Sequence, residues 1–297
     1  MEASVKWVLV TAIAPIAWGS TYFVTREFLP PDYPLYGAVF RALPAGLLLL
    51  LLARARPRGS WWWKAAVLGT LNVGLFFVLL YLAAQLLPSS LASTVMAVSP
   101  VVLILLAWLL LGERPRPHAI IGATVGITGV GLMLLTGAGP VNPLGVLASV
   151  AAMLSSAVGF VLTKRWAPSG SVLALTSWQL IAGGLLVLPV AVAHEGAPPA
   201  LTGTELAGFG YVSLVATAVA FTAWFAGLQH LPAATVGLTG LLNPVAGVLL
   251  GVVVAGEGLG ARQLAGLSLV LVGMVVGQRG IARPKRRTVT AARRGWG

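Results

Sequence analysis

Residues 85–129 read QLLPSSLASTVMAVSPVVLILLAWLLLGERPRPHAIIGATVGITG, and residues 229–273 read QHLPAATVGLTGLLNPVAGVLLGVVVAGEGLGARQLAGLSLVLVG. The two stretches align without a gap at an offset of 144 residues. Leu87-Pro88 falls on Leu231-Pro232, Pro100-Val101 on Pro244-Val245 and Gly112-Glu113 on Gly256-Glu257, while Gly122 and Gly129 fall on Gly266 and Gly273. Apolar composition inflates any such match, so the weight rests on the Pro, Gly, Gln and Glu pairs. Upstream, a weaker register at 138 residues sets Thr25-Arg26 and Phe40-Arg41 against Thr163-Lys164 and Trp178-Gln179. The second half therefore repeats the first, and a fixed internal period decides architecture before any local motif does.

Composition sets the solvent. The 297-residue chain is 58% hydrophobic and 9% charged, with a mean hydropathy of +0.94. Apolar runs of about 20 residues recur, each long enough for a helix to cross a hydrocarbon core ~30 Å thick. They predict ten transmembrane helices, over 5–25, 33–53, 62–84, 89–111, 118–136, 143–163, 172–193, 205–227, 233–255 and 261–279. Transmembrane strands would alternate apolar and polar residues over ~10-residue segments, and these runs do not. The fold class is an all-α polytopic membrane protein whose partner is the lipid bilayer.

The net charge of +12 is unevenly distributed. With a cytoplasmic N-terminus, the inside segments carry sixteen Lys and Arg residues, among them Arg54, Arg56, Arg58, Arg114, Arg116, Lys164 and Arg165. The outside segments carry only Arg26 and Arg262, and Arg41 lies within a helix. Lys/Arg bias in short loops sets orientation, so both termini are expected in the cytoplasm. Charge spread this way does not indicate nucleic acid. Residues 281–297 form a basic tail, expected to be disordered near anionic lipid. The chain has no cysteine, which removes disulfides, thiolate metal sites and cysteine nucleophiles; no metal or cofactor is expected. Residues 5–25 imitate a signal peptide, but Pro15 directly follows Ala12-Ile13-Ala14, and loss of this segment would break the repeat, so it is read as a retained helix.

Five helices per half is an odd number, so the second half must enter the membrane upside down. Residues 1–140 and 141–280 are then two inverted repeats, followed by the tail. Inverted repeats put a substrate site near the midplane between the halves, and alternating access follows when one half rocks on the other.

Polar residues at helical spacing mark a lined cavity or a helix contact. Arg41 is the ionisable side chain set well inside a span, eight residues past Tyr33. An arginine near a helix centre costs ~2.5–3.5 kcal/mol on insertion scales. It is either an anchor for a carboxylate or phosphate, suited by its planar fork, or a structural arginine bonded to carbonyls; Gln179 holds its repeat position. Trp18 and Tyr22 share a face of the first helix, Asn72 and Phe76 a face of the third, and Thr217 and Trp224 a face of the eighth. Thr235, Thr239 and Asn243 follow at every fourth position in the ninth. Aromatic rings beside hydroxyls and amides suit a small amphiphilic metabolite, against the alternative of interhelical hydrogen bonds.

Pro100 and Pro244 occupy matching places, preceded by Ser99 and Asn243. A helical proline removes a backbone bond and frees the carbonyl four residues earlier, here Met96 and Gly240. Interrupted helices in corresponding positions of two halves point to a transport site. Glu113 and Glu257 end the fourth and ninth helices, where a carboxylate opposes the helix dipole. They are read as gating ion pairs, with Lys164 or Arg165 inside and Arg26 or Arg262 outside, against static pairs or caps. Gly122-xxx-Gly126 and Gly273-xxx-Gly277 allow close helix approach, within one chain or across a homodimer.

Two halves that each end in Pro, a long apolar stretch, Gly-Glu and a Gly-spaced last helix resemble the EamA-type proteins of the drug/metabolite transporter superfamily. Trp18-Gly19-Ser20 and Phe40-Arg41 are similar to the family pattern too, and the resemblance covers roughly residues 5–280. It implies a ten-helix exporter or facilitator of amino acids or related metabolites in a bacterial inner membrane. The Gly258-Leu259-Gly260 stretch after the second Gly-Glu departs from it mildly. All seven acids sit at helix ends or in loops, which argues against a cation/proton drug exporter, because a buried carboxylate is what pairs a cation in hydrocarbon. An intramembrane enzyme is not expected: Gly-x-Ser with an intramembrane His, clustered Asp and a Walker motif are all missing. A receptor or assembly subunit without transport activity is the remaining alternative.

Overall fold

The computed structural model describes residues 2–87, 95–134, 142–166, 170–255 and 260–278, without the side chains of a few helical positions that include Tyr22 and Arg26. Glu257 and the basic tail lie outside the described residues. All regular structure among the described residues is helical. Helix α1 spans Glu2–Phe28 and α2 spans Pro34–Ala53; α3 (Trp61–Gly69) runs through a π turn (Thr70–Gly74) into α4 (Leu75–Leu86). Then come α5 (Ser99–Leu111), α6 (Pro117–Leu134), α7 (Pro143–Trp166) and α8 (Val172–Glu195). Helix α9 (Gly203–Ser213) runs through a second π turn (Leu214–Val219) into α10 (Ala220–His230), followed by α11 (Ala233–Thr239), α12 (Leu242–Ala255) and α13 (Ala261–Gln278).

Eight helical stretches among the described residues are long and apolar enough to cross a membrane, and the apolar helices at 99–111 and 117–133 are shorter. Leu51, Leu109 and Val253 are each more than 70% exposed; large apolar side chains turned outward in every region need a lipid solvent. This is a polytopic α-helical membrane protein. The stretch expected as one helix over 233–255 bends at Gly240-Leu241, between α11 and α12.

Local chemistry explains the helix ends. Pro34 sits in the first turn of α2, where its missing N–H costs nothing. The Glu195 carboxylate, at the end of α8, accepts from the backbone N–H groups of Leu35 (2.7 Å) and Tyr36 (2.8 Å), so the orphan donors of α2 are capped by another helix. Gly112 ends α5 at φ +68°, a left-handed conformation that glycine adopts without strain. Thr202 and Glu205 form a capping box at the start of α9.

Packing follows the repeat. A methyl group on Gly129 would lie 2.6 Å from the Gly266 carbonyl oxygen, and one on Gly266 would lie 2.6 Å from that of Gly129. Gly122 meets Gly273 and Gly277 in the same antiparallel seam of α6 and α13, so these glycines serve packing within the chain. The 144-residue offset exchanges the Gly122·Gly273 and Gly129·Gly266 contacts. The 138-residue offset likewise exchanges Gly46·Ile181 with Leu43·Gly184. The two π turns begin at Thr70 and Leu214, also 144 residues apart. A π turn inserts one residue and often sits at a functional site; nothing in the hydrophobic pattern signals it.

Candidate functional site: a polar–aromatic cavity

A cavity of about 390 Å³ lies between α1, α2, α4, α5, α7, α10, α11 and α12. Its size suits a small solute. Trp18, Arg41, Phe76, Ser99, Trp224 and Asn243 line it, as does Pro244. It reaches the α1–α2 turn at Leu29, Pro30 and Pro31, and ends near Gly237 and Leu103. Many lining residues are exchanged by the repeat offsets: Trp18 with Ser156, Phe77 with Phe221, Met96 with Gly240, and Ser99 with Asn243.

Arg41 is 5% exposed. Its Nε donates to Thr217 Oγ1 (2.7 Å) and an Nη to the Ala216 carbonyl (3.2 Å). Its guanidinium carbon lies 4.4 Å from the Phe77 ring centroid, a cation–π arrangement. Trp18 Nε1 also donates to the Ala216 carbonyl, at 3.0 Å. Ala216 and Thr217 both belong to the second π turn, whose i→i+5 pattern departs from the regular ladder. A buried cation set against a cavity is a chemical handle for an anionic group. Around it the wall is aromatic: Trp18 packs on Phe221 and Trp224 at centroid distances of 5.3 and 5.2 Å, and Phe160 on Trp224 at 5.4 Å.

Three residues expected at the site do not reach the cavity. Thr217 stands behind Arg41 as its acceptor. Asn72 and Gln179 bond to each other instead: Asn72 Nδ2 donates to Gln179 Oε1 at 2.7 Å and to Thr163 Oγ1 at 3.3 Å. All three members of that cluster are at most 2% exposed. The physical reason is the crossing of α8 against the first π turn, where Gly69 and Gly183 bring the backbones together. The Tyr22 side chain and Glu257 lie outside the described residues. Thr235 and Thr239 are buried and separated from Asn243 by the bend at Gly240. Pro100 and Pro244 sit in the first turns of α5 and α12, and the Gly240 carbonyl, expected to be free, accepts from Asn243 N at 3.0 Å. Sequence reading overlooked Thr21, Ser156 and Phe160 in the wall. Ser156 and Phe160 are the repeat images of Trp18 and Tyr22, so the offset alone was the signal that would have found them.

Glu113 Oε1 lies 2.6 Å from Lys164 Nζ. Glu113 Oε2 accepts from Ala233 N at 2.9 Å, and Lys164 donates to the Leu231 carbonyl at 2.6 Å. These bonds explain how a carboxylate persists at the end of α5 against the helix dipole. A second hollow of about 470 Å³ lies beside this pair, lined by Arg114, Arg116, His118 and His230 among others.

The chain is 40% identical over 267 residues to Protein PecM of Dickeya dadantii, covering 89% of this chain and 90% of that one. It is 30% identical over 268 residues to the uncharacterized inner membrane transporter YedA of Escherichia coli K12, covering 88% and 85%. A solved crystal structure superposes with a TM-score of 0.79 at 21% identity, over 92% of this chain and 98% of that one, a likeness of fold. The model of the EamA-like transporter family matches residues 5–135 and again 143–276. The chain is a multi-pass membrane transporter and belongs to the EamA-like family, within the drug/metabolite transporter superfamily.

Proposed function

We propose that this transporter exports or equilibrates small carboxylate-bearing metabolites, amino acids and their relatives, across a bacterial inner membrane. The observation that carries the reading is the buried Arg41 guanidinium on a small aromatic cavity. Ten spans arranged as two inverted five-helix repeats, 1–140 and 141–280, with both termini cytoplasmic, provide the mechanism. Contacts exchanged by the repeat offsets support a two-fold axis in the membrane plane, and the exchanged lining residues support a cavity near that axis. Alternating access then follows from one half rocking on the other. The Lys/Arg bias puts Glu113–Lys164 at the cytoplasmic end, so the structure corresponds to a state sealed inside, with the cavity directed outward. Among the described residues no Asp or Glu lines the cavity, which disfavours cationic drugs as cargo. The glycine seams are consumed inside the chain, which favours a monomer.

The test is efflux from proteoliposomes loaded with mixed amino acids and metabolites, read by mass spectrometry, with Arg41→Ala in parallel. Selective efflux of carboxylate-bearing solutes through the wild type, abolished in the variant, is the expected result. Equal efflux through both proteins removes Arg41 from the site, and no efflux through the wild type rejects this substrate class.

A further inference from the structure

We infer that Asn72, Thr163 and Gln179 form a second, occluded substrate subsite, an uncharged amide–hydroxyl pocket that meets the same solute when the cavity opens to the cytoplasm. This rests on the transport reading above and deepens it. Five pairs of lining residues exchange under the repeat: Trp18 with Ser156, Phe77 with Phe221, Leu80 with Trp224, Met96 with Gly240 and Ser99 with Asn243. Thr21, Thr25 and Arg41 are among those that do not: their images are Gly159, Thr163 and Gln179, none of which touches the cavity. Those images nevertheless converge. Gln179 and Thr163 both accept from Asn72 Nδ2, and Gly159 packs directly on the Asn72 amide. Asn72 lies in the first π turn as Ala216 lies in the second, 144 residues on. Arg41 therefore binds one π turn and Gln179 the other. Both stand seven residues into their helices, past Pro34 and Val172, about 10 Å from opposite ends of the membrane path.

A further observation concerns the hydrogen bonding of this cluster. Asn72 is 1% exposed, and its Oδ1 has no hydrogen-bond partner among the described residues. Turning the amide round moves the deficit to nitrogen, because the atom facing Gly159 stays without a partner. A buried polar atom left this way is destabilising, and hydrocarbon surroundings offer it no water. A purely structural contact at this place is better served by apolar side chains. Under an inverted repeat, the opposite state is reached when the two halves exchange conformations. The cluster then becomes cavity wall, its orphan oxygen meets water or solute, and Thr21, Thr25 and Arg41 withdraw. Because Gln179 stands where the other half has a guanidinium, a carboxylate is held more weakly on the inner side.

The absence of cysteine permits single-thiol tests. Thr163→Cys and Thr25→Cys are made separately, each with and without Glu113→Gln, and labelled in proteoliposomes with a membrane-impermeant thiol reagent. The expected result is that the 163 thiol is dark in the sealed protein and reacts about tenfold faster once Glu113→Gln loosens the inner seal, while the 25 thiol slows. An equimolar amino-acid mixture in the millimolar range is expected to slow labelling at 163 by about threefold or more. A 163 thiol that stays dark while the 25 thiol slows overturns the subsite and leaves the two-state transporter standing. Labels that do not change at either position, where Glu113→Gln does speed cytoplasmic labelling of Ser99→Cys, overturn the subsite. Labelling at 163 that the mixture does not slow, from a protein whose efflux of those solutes is established, overturns the binding role.

Discussion

Glu113→Gln removes one charge from the proposed inner seal and keeps its shape. In the structure Glu113 carries the Lys164 pair at 2.6 Å and the Ala233 N–H at 2.9 Å, with its side chain 30% exposed and that of Lys164 17% exposed. Fully exposed pairs are worth ~0–1 kcal/mol, and hydrogen bonds to charged groups about 1.5–3 kcal/mol. A half-screened pair falls between them, at about 1–1.5 kcal/mol. Glutamine retains an acceptor for Ala233, so the loss is concentrated on the Lys164 contact. If that contact is made only in the sealed state, the ratio of sealed to inward-open protein falls about 5–12-fold. The assay is the labelling rate of Ser99→Cys, on the cavity wall, by an impermeant maleimide presented only on the cytoplasmic side. The rate should rise by that factor, and Lys164→Gln should raise it similarly, with the double variant no higher than either alone. A change below about twofold in all three proteins would show that the pair is a static brace and that the seal lies elsewhere.

Three further outcomes follow from the packing. Gly129→Ala drives a methyl group to 2.6 Å from the Gly266 carbonyl and should lower stability by about 1–3 kcal/mol, seen as a reduced melting temperature in detergent; Gly210→Ala, with nothing within 4 Å of the added carbon, should not. Thr217→Val deprives Arg41 Nε of its 2.7 Å acceptor and should impair transport by about tenfold or more, a penalty of ~1–3 kcal/mol, while Thr217→Ser restores it; unimpaired flux through the valine variant would separate the π turn from the site. Glu195→Gln weakens the cap on Leu35 and Tyr36, and hydrogen exchange at the start of α2 should accelerate by about fivefold, from a loss of ~1 kcal/mol.

Much of the architecture was legible because membrane insertion writes itself along the chain. A helix must satisfy its own backbone in lipid, so each span leaves a long apolar run, and Pro34, Gly112 and the Thr202–Glu205 box mark ends by local rules. Arg41 was legible for the same reason, since a charge in such a run is costly. Asn72 and Gln179 were read as cavity residues from their polarity and helix faces, and the structure turns them toward each other. Periodicity says which residues share a face. It does not say which neighbour that face meets, and here the close approach of Gly69 and Gly183 decides it.

The sequence by itself determined the solvent, the all-helical membrane class, the duplication and the family, because hydropathy, proline and glycine placement and repeat spacing are local or additive properties of the chain. Tertiary structure alone decided that two π turns face Arg41 and Gln179, that Glu113 chooses Lys164, and that Trp18, Ser99, Trp224 and Asn243 close on one cavity while Thr163 is sealed from it. These outcomes depend on side chains more than a hundred residues apart settling in a shared ångström-scale space, where close packing leaves few arrangements and no local pattern encodes which one is taken.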